Sequence, residues 1–334
     1  MTTRSIMTAS GTVRQRTPHG QALRRLVARH PVATFLLLVF SVSVAVAQVP
    51  VLTRRDIMPF DLALYDSLGA VLGVALPAFV VVTAMDGRKG VRELASRCLR
   101  WRVSLRWYAF AFLSVPAGVL LCAGVVFGHP LLVVLADRWT SLFTAVLPQL
   151  VLLIICCIVA EEVGFMGFLQ ARWQSRFGPL KASLLVTIPF AVYHLPSLMV
   201  ESGLGLAKLH VALAFLGVLA VLQLFGRVVM MWLYNVTGSS VLLVGLWHAS
   251  FDATTSAFGR TFAIPGAASN AELAGFWIPS VVVAVFAVLV VVLTRGRLAH
   301  HSPGLARPEQ PPLRVERTAS PAGTPQLSTK GDES

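Results

Sequence analysis

The stretch Ala160-Glu161-Glu162-Val163-Gly164-Phe165-Met166-Gly167 decides the fold, because it sets two adjacent carboxylates inside an apolar run that extends from Leu142 to Gln170. A run of this length is long enough to cross a bilayer, which takes about 20 helical residues for about 30 Å of hydrocarbon. A carboxylate at the centre of such a span costs about 2.5–3.5 kcal/mol on insertion scales. Paired intramembrane acids therefore mark a functional site and require partners at the same depth.

Outward from this stretch the chain stays apolar. Of 334 residues, 56% are hydrophobic and 13% charged, far from the composition of a soluble domain. Seven further runs have spanning length: about Pro31–Leu52, Leu62–Met85, Trp107–Phe127, Leu180–Val200, Leu209–Tyr234, Ser239–Phe258 and Phe276–Thr294. Together they predict an all-α, multi-pass membrane helix bundle of about eight transmembrane helices with the lipid bilayer as its solvent. Residues 1–30 read as a disordered basic arm, 31–295 as the transmembrane domain, and 296–334, rich in Pro, Ser, Thr and Gly, as a disordered tail. Ala45-Val46-Ala47 has the pattern of a signal-peptidase site, but its basic lead is long, which favours an uncleaved first helix.

The net charge of +13 does not imply nucleic acid, since the basic residues sit in short loops and tails between spans. Six lie in the N-terminal arm, seven between Arg88 and Arg106, three at Arg172, Arg176 and Lys181, and six from Arg295 onward. Only Arg54, Arg55, Arg138, Lys208 and Arg260 fall in the opposite loops, and Arg227 is within a span. By the positive-inside rule both termini are expected in the cytoplasm. Cys98, Cys122, Cys156 and Cys157 show no metal-ligand or disulfide spacing and read as small packing residues.

Within the spans the ionisable residues are few: Glu161, Glu162, His194, Arg227, His248 and Asp252. Glu161 is 11 residues from Arg172, His194 is 13 from Lys181 and His248 is 10 from Gly238, roughly 15–20 Å at about 1.5 Å per residue. Three helices thus bring a carboxylate and two imidazoles to one level, where they are expected to face one another. His248 and Asp252 share a helix face, as do Phe190 and His194. Glu161 and Glu162 are about 100° apart around an α-helix, so one is expected to face the shared centre as the reactive acid and the other to be structural. A glutamate that takes a proton from water, beside imidazoles or a metal that orient the water and stabilise an oxyanion, is a hydrolase constellation. The bland readings are a polar clamp between helices for Glu161 and Glu162 and interhelical glue for His248 and Asp252. Phe190 and Trp232 read as packing.

These residues resemble the CPBP intramembrane proteases, which include CAAX-type prenyl-protein endopeptidases and bacterial proteins of bacteriocin processing and self-immunity. The family's motifs are EExxxR, FxxxH and HxxxN or HxxxD on three helices. Here they stand as Glu161-Glu162-Val163-Gly164-Phe165-Met166, Phe190-Ala191-Val192-Tyr193-His194 and His248-Ala249-Ser250-Phe251-Asp252, within a matching core of about residues 142–258. The resemblance implies an intramembrane endopeptidase that cuts a membrane-associated peptide or protein near the cytoplasmic side, in the plasma membrane of a bacterium. It implies that Glu161 activates water, that His194 helps hold it, and that His248 with Asp252 stabilises the oxyanion or completes a metal site. Metal-dependent and metal-free mechanisms both remain open. Asp252, which unlike Asn cannot donate to an oxyanion when ionised, tilts toward orienting His248 or toward a divalent cation such as zinc, held among Glu161, His194, His248 and Asp252.

The departure is Met166, which stands where the family has Arg and leaves Glu162 without its i,i+4 cation. Either Glu162 is protonated, or Arg227 reaches it from another span, or the site has decayed into a non-catalytic immunity or scaffold protein. A secondary transporter would also bury acids and histidines, but no repeat or paired broken helices accompany them.

Overall fold

A computed structural model describes residues 18–53, 71–195, 209–266 and 268–299. Among them every regular element is helical, as a chain that must satisfy its backbone in hydrocarbon requires. In chain order these are α1 (Pro18–Arg29), α2 (Pro31–Thr53), α3 (Leu76–Cys98), α4 (Leu105–Phe127), α5 (His129–Asp137), α6 (Leu147–Ile155), α7 (Ala171–Phe177), α8 (Pro179–Tyr193), α9 (Leu209–Val236), α10 (Val241–Ser256), α11 (Ala268–Glu272) and α12 (Ile278–Thr294). Wider π-helical turns join several of them, including Cys156–Glu162 and Phe165–Gln170 around the carboxylate pair.

Among the described residues, three helices are long and apolar enough to cross a membrane, Leu105–Phe127, Leu209–Val236 and Ser269–Thr294. A fourth crossing follows if His129–Asp137 and Leu142–Ile158, bent by 71° at their junction, count as one broken span. Pro31–Val42 and Pro179–Tyr193 are shorter apolar helices. The expected runs Leu62–Met85 and Leu180–Val200 lie partly outside the described residues. The outward face is apolar: Val125 is 82% and Leu293 81% exposed, an arrangement that suits lipid and not water. The protein is an all-α, multi-pass membrane protein.

Three expectations change. Pro18–Arg29, read as part of a disordered arm, is a helix, with Val27 buried and the Arg24 guanidinium donating to the carbonyls of Ala84 and Thr83. Tertiary contact supplies what 12 residues cannot supply alone, since isolated helices that short are marginal. The ordered chain also runs past residue 295: Leu298 is buried, and its carbonyl accepts a 2.9 Å bond from Asn235. The remainder of the expected tail, and residues 1–17, lie outside the described residues. Finally, the stretch read as a loop after Phe127 contains α5, whose Pro130 at the first turn supports helix initiation.

The helix α10 organises the interior. Ser240 caps it, accepting from the Leu243 amide at 3.2 Å while donating to the Arg100 carbonyl at 2.7 Å, and so fixes its start. From there Val241, Leu243 to Ser250, Ala253 and Thr254 are all buried. Trp247 donates to Ser114 (3.1 Å) and Ser250 to the Phe112 carbonyl (3.1 Å), both on α4, the kind of polar glue that replaces hydrophobic driving force between helices in lipid. Gly245 makes the contact that matters most for the site. A Cβ at this position would overlap the Ile158 side chain and lie 3.1 Å from its Cα, so only glycine lets α10 press against the π segment that carries Glu161 and Glu162.

Candidate active site

The π winding of Cys156–Glu162 narrows the angle between adjacent side chains, and both carboxylates reach His248. Glu162 Oε1 lies 2.9 Å and Glu161 Oε2 3.5 Å from His248 Nδ1. The expectation that only one of the two could face the centre, built on α-helical geometry, is corrected by that local winding. Bulges of this kind recur at functional sites. The division of labour nonetheless stands: Glu162 is fully buried, while Glu161 keeps 20% of its side chain exposed toward a cavity.

Arg227 supplies the cation that Met166 cannot. Its Nη1 donates to Glu162 Oε2 at 2.8 Å, in a pair whose side chains are 1% and 0% exposed. The guanidinium carbon sits 3.7 Å over the Phe190 ring, a cation–π contact in a desolvated setting. Phe190, expected to be mere packing, is therefore the floor under the arginine and lies beside both imidazoles, with ring centroids 4.7 Å from His194 and 6.2 Å from His248. Met166 itself is buried in the apolar core.

The two histidines are oriented alike. His194, the residue that ends α8 and not a mid-helix position as its run of apolar residues suggested, faces the Phe190 carbonyl through Nδ1 at 2.8 Å. A carbonyl only accepts, so Nδ1 carries the proton and Nε2 points at Glu161 Oε1, 3.6 Å away. His248 donates from Nδ1 to the Arg227-paired Glu162, and its Nε2 faces Asp252 Oδ2 at 3.7 Å. Glu161 Oε2 is buried and takes no hydrogen bond.

Glu161, His194, His248 and Asp252 line one cavity of about 570 Å³, a size that holds a small ligand or a short piece of chain. Its other walls run along α10 to Ser256 and on to Arg260, and back along the Leu142–Gln170 run to Gln149, where Gln149 and Ser256 exchange hydrogen bonds at 2.9 and 3.1 Å. All of these lie on the side of the carboxylate level away from Arg172 and Gly238. Toward those basic ends the interior is filled by Phe165, Phe168, Met231, Leu233, Val241 and Leu243. Apolar side chains thus separate the site from those ends, and the open volume that the site lines extends the other way.

Among the described residues, two triads of donors approach closely enough to hold a metal ion, Glu161 with Glu162 and His248, and Cys157 with His248 and Asp252; within each, the candidate atoms lie within 4.8 Å of one another. The expected set of Glu161, His194, His248 and Asp252 does not converge on one point, because His194 belongs to neither group among the described residues. Cys157 was missed. Its thiol donates to Asp252 Oδ2 at 3.5 Å, a contact between residues 95 apart that no local spacing announces.

Each of the three motifs contributes side chains to one cavity. Residues 142–254 match the family model described as type II CAAX prenyl endopeptidase, Rce1-like. The match covers about a third of the chain, contains Cys157, Glu161, Glu162, His194, Arg227, His248 and Asp252, and is consistent with the CPBP resemblance. No curated protein matches the chain. The Rce1-like segment supports intramembrane endopeptidase chemistry in general.

Proposed function

We propose that the protein is an intramembrane endopeptidase in which Glu161 activates the water that attacks a peptide bond. The observation that carries this reading is the pairing of a fully buried Arg227–Glu162 ion pair with a cavity-facing Glu161. One carboxylate is neutralised and fixed, which leaves the other free to act as base. Glu161 accepts the water's proton on Oε1, the oxygen 3.6 Å from His194 Nε2, while His194, held by the Phe190 carbonyl, positions that water through Nε2. His248, locked by Glu162 and backed by Asp252, faces the carbonyl oxygen as charge develops on it. Proton return to the leaving amine from the Glu161 carboxylic acid completes the cycle.

The substrate is a membrane-associated peptide or protein, received in the plasma membrane of a bacterium by a chain with both termini in the cytoplasm. Given that orientation, cleavage takes place at the Glu161 level, and the substrate enters from the half of the membrane opposite the basic loops. The reading of a catalytically silent immunity or scaffold protein rests on Met166; the Arg227–Glu162 pair supports the hydrolase reading over it, because Glu162 keeps a cation. The test is membrane proteomics of cells that carry the wild-type protein or Glu161→Gln. A protein that is processed in the first and left intact in the second is the expected result. Identical profiles, with the variant still present in the membrane, would refute the hydrolase reading.

A further inference from the structure

We infer that Cys157, His248 and Asp252 form a three-ligand site for a thiophilic divalent cation of the zinc type, distinct from the glutamate pair. The inference rests on the hydrolase reading only for its catalytic consequence. Three Lewis bases from two elements converge here: Cys157 Sγ and Asp252 Oδ2 are 3.5 Å apart, His248 Nε2 and Asp252 Oδ2 3.7 Å, and all three lie within 4.8 Å. Metal–ligand bonds of about 2.0–2.3 Å in tetrahedral array put neighbouring ligand atoms roughly 3.3–3.7 Å apart, so the edges from Asp252 to Cys157 and to His248 need almost no adjustment.

A second observation points to the same place. His248 Nδ1 lies 2.9 Å from Glu162 Oε1, and Glu162 is clamped by Arg227, which turns Nε2 toward the Asp252 carboxylate 3.7 Å away. An imidazole whose far nitrogen is held by a carboxylate is the arrangement that orients metal-ligating histidines. Charge balance favours it too. A divalent cation with one thiolate, one carboxylate and one neutral imidazole is net neutral, which suits a site at membrane depth. On binding, the Cys157 Sγ–H and His248 Nε2–H bonds break and both protons leave through the cavity as the sulfur–metal and nitrogen–metal bonds form. The rival triad is poorer, since one of its carboxylates is already neutralised by Arg227. His248 and Asp252 both line the cavity, so a cation held by them would be reachable from it. There a bound cation would supply Lewis-acid stabilisation of the carbonyl oxygen, with Glu161 left as base.

The test loads the purified, detergent-solubilised full chain with cobalt(II) and reads stoichiometry and absorption. One equivalent bound with a near-ultraviolet thiolate-to-cobalt charge-transfer band is expected, and Cys157→Ser should abolish the band and weaken binding at least about tenfold, the lower end of what even outer-shell losses cost. Glu161→Gln should keep both. Size-exclusion elution matching the wild type guards against misfolding, and Asp252→Asn provides a second, near-isosteric loss of affinity. Absence of cobalt binding, binding without the thiolate band, or binding that survives Cys157→Ser but not Glu161→Gln would each overturn the site. None of those outcomes touches the proteomic test of the hydrolase, which Glu161→Gln decides by itself.

Discussion

Replacing Arg227 by Met leaves Glu162 buried with one imidazole N–H as its remaining partner and no full counter-charge. Both side chains are at most 1% exposed, so solvent cannot take over the lost interaction. Breaking a buried pair in this way costs about 3–5 kcal/mol, most of it the penalty for the orphaned charge and not the worth of the bond. At 1.4 kcal/mol per tenfold, this is about two to four powers of ten in the unfolding equilibrium. The assay is reversible unfolding by titration of SDS into mixed micelles, followed by far-ultraviolet circular dichroism. Glu162→Gln alone should also destabilise, by stranding Arg227, whose Nε and Nη2 already lack partners. The double variant Glu162→Gln, Arg227→Met should recover most of the loss, because it buries no unpaired charge. If the two single costs simply add, to within about 0.5 kcal/mol, the residues are energetically independent and the assignment of Arg227 as substitute for the missing motif arginine fails. Met166→Arg belongs to the same series. In the wild type it puts a second cation into a fully buried position beside a carboxylate already paired, and it should cost more there than in the Arg227→Met background.

Two further outcomes follow from the packing. Gly245→Val should destabilise by about 1–3 kcal/mol through overpacking against Ile158, and should depress cleavage more than stability because it levers His248 away from Glu162; wild-type activity would show that the close approach is dispensable. Ser256→Cys, in the wall of the cavity beyond Asp252, should react with a membrane-impermeant maleimide applied to intact cells from outside, and labelling only after permeabilisation would reverse the proposed direction of entry.

Helical class and membrane residence are written in local hydropathy. A run such as Ile278–Thr294 has no alternative but to be a helix in lipid, because no other local fold satisfies its backbone there. The common depth of Glu161, His194 and His248 was equally legible, since rise per residue converts sequence distance into height and the contacts of 3.5–3.6 Å bear it out. What local rules miss is angle and partner. The π turn that swings both glutamates onto His248 depends on the fit of Ile158 against Gly245, and the cation for Glu162 comes from 65 residues away. Cys157 looked like packing because its partner Asp252 is brought to it only when α10 docks. Sequence fixes how deep each polar group lies, for depth is a one-dimensional quantity along a helix. Only the tertiary structure decides which of the groups at that depth face each other, since rotation about each helix axis is set by side-chain packing between chain segments far apart in sequence.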